Sequence, residues 1–343
     1  MLATQAALKK LIQREDLDYE LATRAALEMI EGQVSSVLIS GFLVGLHIKG
    51  ETAEEIRAIV EVMMEKANRL ELQAEELLDT CGTGGDHSQT FNISTAAAFV
   101  CAAAGVPVAK HGNRSQSSVS GSADVLETLG ARIDLTPAEA TRVFEKTGIT
   151  FLFAPLYHPA LKHAAPVRKE LGVRTVFNFI GPILNPAGAN IRILGVASAD
   201  YIMKIVEVLK RMGVKRALVY SSVNGLDEIA LDADVEVAEI NGNEIKTYLL
   251  NHKDLGMRKV DHNLIKVRSA RESAEAIVSA FKGEKGPFYD YIAASAAVGL
   301  YAAGRAATLR GAVEKAKHIL DSGKAFEQLE KFVEATGGKL VFS

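Results

Sequence analysis

Tryptophan is missing from the 343-residue chain, and cysteine occurs only as Cys81 and Cys101. Two cysteines make neither a disulfide framework nor a cysteine-based metal motif, so each reads as a small buried filler. An excess of either charge is lacking as well. The formal net charge is −3, whereas nucleic acid as main partner calls for a strong basic field. No apolar run is long enough to span a bilayer, and the first residues lack a basic-then-apolar leader pattern. A cytoplasmic protein without membrane or nucleic-acid contact is expected. Internal repeats and low-complexity tracts are absent too. What is present is a 48% apolar composition, enough for one large or two moderate domains.

Residues 79–124 organise the rest: DTCGTGGDHSQTFNISTAAAFVCAAAGVPVAKHGNRSQSSVSGSAD. Two anion-binding devices stand here in tandem. In Gly82-Thr83-Gly84-Gly85-Asp86, the glycines permit positive φ and close backbone approach, so successive N–H groups can form an anion nest. Asn92-Ile93-Ser94-Thr95 leads into the helix-forming run Ala96–Val100, which puts free N–H groups and the positive end of a helix dipole beside that nest. The second device, Lys110-His111-Gly112-Asn113-Arg114 with Ser115, Ser117, Ser118, Ser120 and Ser122, follows the strand-like run Val106–Ala109. The spacing is neither the Walker A nor the Rossmann pattern. It predicts a different phosphate site.

Before this stretch the chain reads as helical. Thr52-Ala53-Glu54-Glu55 is a capping box. It opens a helix whose Ile56, Ile59, Val60, Met63 and Ala67 form one apolar stripe. The preceding helix, punctuated by Gly50, is apolar over a wide arc through Val37-Leu38-Ile39 and Phe42-Leu43-Val44, and so needs burial on more than one side. From about residue 74 strands and helices alternate. Strands are expected at Val106–Ala109, Arg132–Leu135, Thr150–Phe153, Ile191–Val196, Arg216–Tyr220, Val235–Ile240 and Glu244–Leu249. A capping box with proline at the first helical position opens a helix at Thr136-Pro137-Ala138-Glu139. Asn241-Gly242 marks a hairpin. The Ala-rich tail Tyr291–Phe332 is read as helical. Such alternation predicts an α/β fold with a mainly parallel sheet flanked by helices, and ligands at the carboxyl ends of the strands.

Two further segments carry chemistry. Residues 151–187 are rich in proline and cations, with His158, His163, Arg168 and Arg174 as polar candidates. Asp227-Glu228 follows a strand. Adjacent carboxylates at a strand's end can converge on Mg²⁺, which is typically held by one or two carboxylates and substrate phosphates.

GTGGD, NIST, KHGNR and GSAD, in this order and spacing, resemble the anthranilate phosphoribosyltransferase family, which shares its fold with the pyrimidine nucleoside phosphorylases. The likeness continues through Phe153–Pro186 and Gly225–Glu228 and covers nearly the whole chain. It implies a helical domain, residues 1–72, to which about 166–186 return, and an α/β donor-binding domain, residues 73–165 and 187–343. It implies transfer of phosphoribosyl from 5-phosphoribosyl 1-pyrophosphate to the amine of anthranilate, a step of tryptophan biosynthesis, and a homodimer formed through the helical domain. For the diphosphate donor the expected contacts are Gly82, Gly85, Asp86, Thr90, Asn92, Ile93, Ser94, Thr95, Lys110, His111, Gly112, Asn113, Arg114, Ser115, Gln116, Ser117, Ser118 and Ser122. For anthranilate they are Gly82, Asn113, His158 and Arg168. Two Mg²⁺ ions are expected, one on Asp227 and Glu228 and one on the Ser94 hydroxyl. Lys110 and His111 are the catalytic candidates, and no general base is assigned. Two alternatives carry different signatures: a pyrimidine nucleoside phosphorylase would have a KHSTGGVGDK-like loop, and a non-catalytic nucleic-acid-binding relative a basic surface with a damaged donor site. One position departs from the family pattern: His87 stands where glycine usually follows GTGGD.

Overall fold

The computed structural model describes residues 1–86, 88–115 and 119–342. His87, Gln116, Ser117 and Ser118 therefore lie outside the described residues, and with them the expectations placed on those four.

The chain opens with four helices, α1 Ala3–Ile12, α2 Tyr19–Ile30, α3 Ser36–Lys49 and α4 Ala53–Glu65. The capping box forms as read: the Thr52 side chain accepts from Glu55 N, and the Glu55 side chain accepts from Thr52 N. Gly50 ends α3 with φ +88°, a conformation open to glycine at no steric cost. Helix α3 buries Ile39, Phe42, Leu43 and Leu46 and leaves Val37 and Ile48 exposed.

After β1 Leu78–Gly82 the chain runs α5 Ile93–Ala103, β2 Val108–Gly112, α6 Ser122–Leu129, α7 Pro137–Thr147 and β3 Ile149–Phe153. A short-helix region follows, with α8 Ala154–Tyr157, α9 Ala164–Leu171 and α10 Phe177–Ile180. Then come β4 Ile191–Gly195, α11 Ile202–Arg211, β5 Arg216–Ser222, β6 Val235–Asn241 and β7 Glu244–Leu250. Helices α12 Ala270–Phe281, α13 Pro287–Ala302, α14 Leu309–Asp321 and α15 Lys324–Ala335 complete the fold.

The strands form one sheet in the order β3-β2-β1-β4-β5-β6-β7. The first five are parallel, and the hairpin β6–β7 closes one edge antiparallel. Its turn is Gly242-Asn243, one residue later than read, because Asn241 pairs with Glu244; φ is +58° at Gly242, which suits glycine at the first central position. Strands from β4 to β5 alternate their burial. Ile191, Ile193, Leu218 and Tyr220 face one apolar core, and Leu194, Val196, Ala217 and Val219 face the other. Helices cover both faces, as a parallel sheet demands. The second core also contains Phe42, Leu43 and Met63 of the first helices and Val167, Phe177 and Ile183 of the middle segment.

Three readings need correction. Arg132–Leu135 is not a strand: it is an extended link in which Arg132 N donates to Thr336 Oγ1 at 3.1 Å while Ile133 and Leu135 fill the core. The second strand runs Val108–Gly112 and not Val106–Ala109, so Lys110 and His111 belong to β2 itself. Finally, β1 went unread, because polar Asp79 and Thr80 sit in its middle, both buried. The chain order steps from β1 to β2 and β3 on one side and resumes at β4 on the other, so the direction of winding reverses between β1 and β4. That crevice, at the strands' carboxyl ends, is where a ligand site belongs.

Candidate active site

A cleft of about 320 Å³ opens at these carboxyl ends. Each element supplies it through its last residues: Gly82 from β1, His111 and Gly112 from β2, and Asp227 and Glu228 from the loop after β5. Beneath it lies a buried polar knot. Asp79 Oδ2 accepts from Arg192 Nη1 at 2.9 Å and from Asn185 Nδ2 at 2.8 Å, and its Oδ1 accepts from His111 N at 3.2 Å. Arg192 also donates to the carbonyls of Pro182 and Ile183. One carboxylate thus fastens β1, β2, β4 and the middle segment to a common point. Asn185 and Arg192 were not singled out in the sequence, where nothing marks them as partners of a strand aspartate.

The first anion device has the expected form. Gly84 and Gly85 take φ +64° and +75°. Helix α5 starts with Asn92 as its N-cap, so Ser94 and Thr95 stand in the first turn. One of its N–H groups already faces a carboxylate, since Ser94 N donates to Glu228 Oε1 at 3.2 Å. Asp227 does the same at the nest, its Oδ2 accepting from Gly84 N at 2.6 Å. The two adjacent acids therefore reach both halves of the device, and both are buried.

Their electrostatics are unbalanced. Burial and the nearby Asp86 push Asp227 up to about 7, and burial with Asp227 beside it raises Glu228 as well. Asp86 Oδ2 and Glu228 Oε2 are buried without a hydrogen-bond partner among the described residues. Crowded, orphaned carboxylate oxygens of this kind fit a hard divalent cation with oxygen ligands. Lys110 lies on the other flank. Its Nζ donates to Thr80 O and to Ser94 Oγ, and burial lowers its pKa.

The described residues of the second device lie between the end of β2 and the start of α6. Asn113 O accepts from Ala123 N at 3.2 Å, and Asp124 Oδ2 accepts from Ser115 N and Gly121 N. Gly121 has to be glycine: a β-carbon there would lie 2.6 Å from the backbone carbon of Arg114. The Arg114 guanidinium lies on Asp124 and Glu127.

The remaining wall comes from the middle segment. His158 Nε2 donates to Leu184 O at 2.7 Å, which leaves Nδ1 as the bare nitrogen, buried and unpaired among the described residues. The His111 ring stands edge-on to it, centroids 5.2 Å apart. Burial depresses both imidazoles and keeps them neutral. Arg168 is held by its neighbours, with Nη2 3.4 Å from Phe177 O and the guanidinium over the Phe177 ring at 5.3 Å.

Of the residues expected at the site, Gly82, Gly85, Asn92, Ser94, Thr95, Lys110, His111, Gly112, Asn113, Arg114, Ser115, Ser122, His158, Arg168, Asp227 and Glu228 line the cleft together. Ile93 does not, because its side chain is in the core. Thr90 does not either; it bridges to Lys266 outside the cleft. Asp86 stands behind the lining, close to Asp227. Phe177, Asn178, Ile180, Gly181 and Pro182 line the cleft without having been named as site residues; the only hint was the unusual FNFIGPILNP composition.

Comparison with known proteins agrees over both parts of the chain. Residues 5–67 match the family described as "Glycosyl transferase family, helical bundle domain", and residues 74–326 match "Glycosyl transferase family, a/b domain". The chain is 46% identical over 329 residues to the anthranilate phosphoribosyltransferase of Petrotoga mobilis, which covers 96% of each. It is 42% identical over 328 residues to that of Aquifex aeolicus, covering 95% of this chain and 96% of the relative. The solved anthranilate phosphoribosyltransferase of Thermus thermophilus superposes with a TM-score of 0.91 at 42% identity, covering 96% of this chain and 99% of that one. The Saccharomyces cerevisiae enzyme, solved in complex with PRPP and Mg, gives 0.89 at 26% identity, covering 97% and 98%.

Proposed function

The chain belongs to the anthranilate phosphoribosyltransferase family, and from that premise we propose that it joins anthranilate to the ribosyl carbon of 5-phosphoribosyl 1-pyrophosphate and releases pyrophosphate, as a cytoplasmic step of tryptophan biosynthesis. The observation that carries this reading is the convergence of two backbone anion cradles, a buried carboxylate pair and an arginine-bearing apolar wall on one cleft.

The acceptor amine is neutral near pH 7 and needs no strong base. Work is left in orientation and in charge. Thr95 and the Gly84–Gly85 turn cradle the donor's phosphates with Lys110 beside them. Asp227, Glu228 and the Ser94 hydroxyl would hold Mg²⁺, in our reading two ions, which when bound would supply charge neutralisation for the departing pyrophosphate. The bidentate fork of Arg168 suits the anthranilate carboxylate, with His158 and Asn113 shaping the same end of the cleft. Residues 1–72 and 166–186 form the helical domain in this reading, and residues 73–165 and 187–343 the donor domain, with the acceptor between them.

The direct test is the loss of anthranilate fluorescence on mixing with donor and Mg²⁺, with thymidine plus phosphate and a DNA mobility shift run beside it. Turnover confined to thymidine or a shift of DNA would replace the reading. Arg168→Ala is expected to raise the anthranilate KM about ten- to a hundredfold, the range for a lost charge-assisted hydrogen bond, and to leave the donor KM near its original value. Equal damage to both would make Arg168 a brace between segments.

We also propose a homodimer through the first helices. Support comes from α3, where Val37, Gly41, Val44 and Ile48 recur at i, i+4, i+7 and i+11 on one stripe, and where Val37 and Ile48 are exposed along with Ile12 of α1. Large exposed apolar side chains so aligned suit a symmetric contact. Sedimentation should show Val37→Asp with Ile48→Asp to be a monomer; an unchanged mass for the double variant would place the contact elsewhere.

A further inference from the structure

The donor device is held from outside by a strap drawn from a distant part of the chain. Val267 N donates to Gln89 O at 2.9 Å and Phe91 N to Ile265 O at 3.2 Å, on either side of the bridge between Thr90 and Lys266. Gln89 itself has φ +58°, which a non-glycine residue adopts at a cost. Beyond the strap, at the end of the first turn of α12, sits Ser273, with no exposed surface. Its Oγ accepts from Asn92 N at 3.0 Å and donates to Asn92 Oδ1 at 2.8 Å.

That pair of bonds has a directional consequence. A carboxamide whose oxygen is engaged as acceptor presents its nitrogen on the opposite branch. Here Asn92 Nδ2 donates to Ser120 O at 3.0 Å, on the segment that closes the second anion device. One buried hydroxyl therefore fixes the N-cap of α5 and, through Asn92, ties the first cradle to the second. The N-cap's own side chain makes no cap bond to the first turn of α5, so α5 takes its starting geometry from this external partner.

We infer that Ser273 is a positioning residue for the phosphoribosyl donor: it sets the orientation of Asn92 and the spacing of the two anion cradles without touching the substrate. The inference rests on the donor reading given above. Removing the hydroxyl leaves the half-buried Asn92 N–H without this partner and frees the amide to turn over. The donor should feel this and the acceptor should not, because Arg168 and His158 are held by other partners.

The experiment compares Ser273→Ala and Ser273→Cys with the unaltered chain. Cysteine keeps the shape of serine but is a weak hydrogen-bonding group. Both variants are expected to raise the donor KM, and the Kd for donor measured by calorimetry without acceptor, about three- to tenfold, with the anthranilate KM unchanged. In an Asn92→Ala background the same Ser273 changes should add little, since their target is gone. Equal rises in both KM values, or full additivity in the double variants, would overturn the inference and leave Ser273 an ordinary packing residue. If Ser273→Ala does not fold, Ser273→Cys still decides, because it leaves no cavity at this buried position. An unaltered chain without transferase activity would instead overturn the functional reading itself.

Discussion

Replacing Asp227 by Asn together with Glu228 by Gln is expected to lower kcat by at least a factor of about 10²–10³, the scale seen when one preorganised charge-stabilising group is removed, and to abolish the response to Mg²⁺. The fold should survive. Asn can still accept from Gly84 N, and Gln from Ser94 N, where the acids accept now. Stability should move the other way from activity. Asp227 stands near 7 in the folded protein, against about 3.9 for a free aspartate. A folded-state value above the unfolded one means that ionisation opposes folding, with the penalty growing from about pH 4 to 7 and complete above it. At pH 8 without added metal, the double amide variant should therefore melt no lower than the original chain. Turnover and Mg²⁺ optimum close to the original would remove these two acids from the metal site. A large drop in melting temperature would show that their charge is already balanced within the fold.

The parts of this site that could be read in the sequence are those whose physics is local. A glycine run, a helix N-terminus, an acidic pair after a strand and two capping boxes each declare themselves within a few residues, and all of them stand where they were expected. The strand ends were less legible. Lys110 and His111 look like loop residues, but they extend β2 because they pair with Phe151 and Leu152 of β3, while His111 N is satisfied by the Asp79 carboxylate. Asp79 in turn disguised β1, since a buried aspartate is compatible with a strand only when a partner such as Arg192 is supplied from elsewhere. Arg132–Leu135 failed for the converse reason. Its alternating pattern is real, with Ile133 and Leu135 buried, but its backbone finds Thr336 where a strand would need a neighbouring strand. Ser273 could not be read at all, being 181 residues from Asn92.

Gly195 belongs with these and leads to the second large effect. It ends β4 in register with Gly82 at the end of β1, so two strands side by side both finish in glycine. The loop carrying the acidic pair drops into the space this leaves. A β-carbon on Gly195 would lie 2.6 Å from the carbonyl carbon of Asp227 and nearer still to its oxygen, and one on Gly82 would lie 3.0 Å from Asp227 Cγ. The obstacle at Gly195 is backbone, so a side chain cannot swing away to make room. Gly195→Ala should push the loop of Asp227 and Glu228 outward while leaving every ionisable group in place. A misplacement of about 1 Å can cost on the order of 10²-fold in rate, and kcat is expected to fall by that amount. Overpacking a full site typically costs about 1–3 kcal/mol of stability, so the variant should fold but melt lower, unlike the amide pair. The affinity for pyrophosphate with Mg²⁺, measured by calorimetry, should weaken in parallel with kcat, whereas the anthranilate KM should hold because the opposite wall is untouched. Wild-type pyrophosphate affinity in Gly195→Ala would mean that the loop adjusts freely, and that the glycine pair at the ends of β1 and β4 does not set where the acids stand.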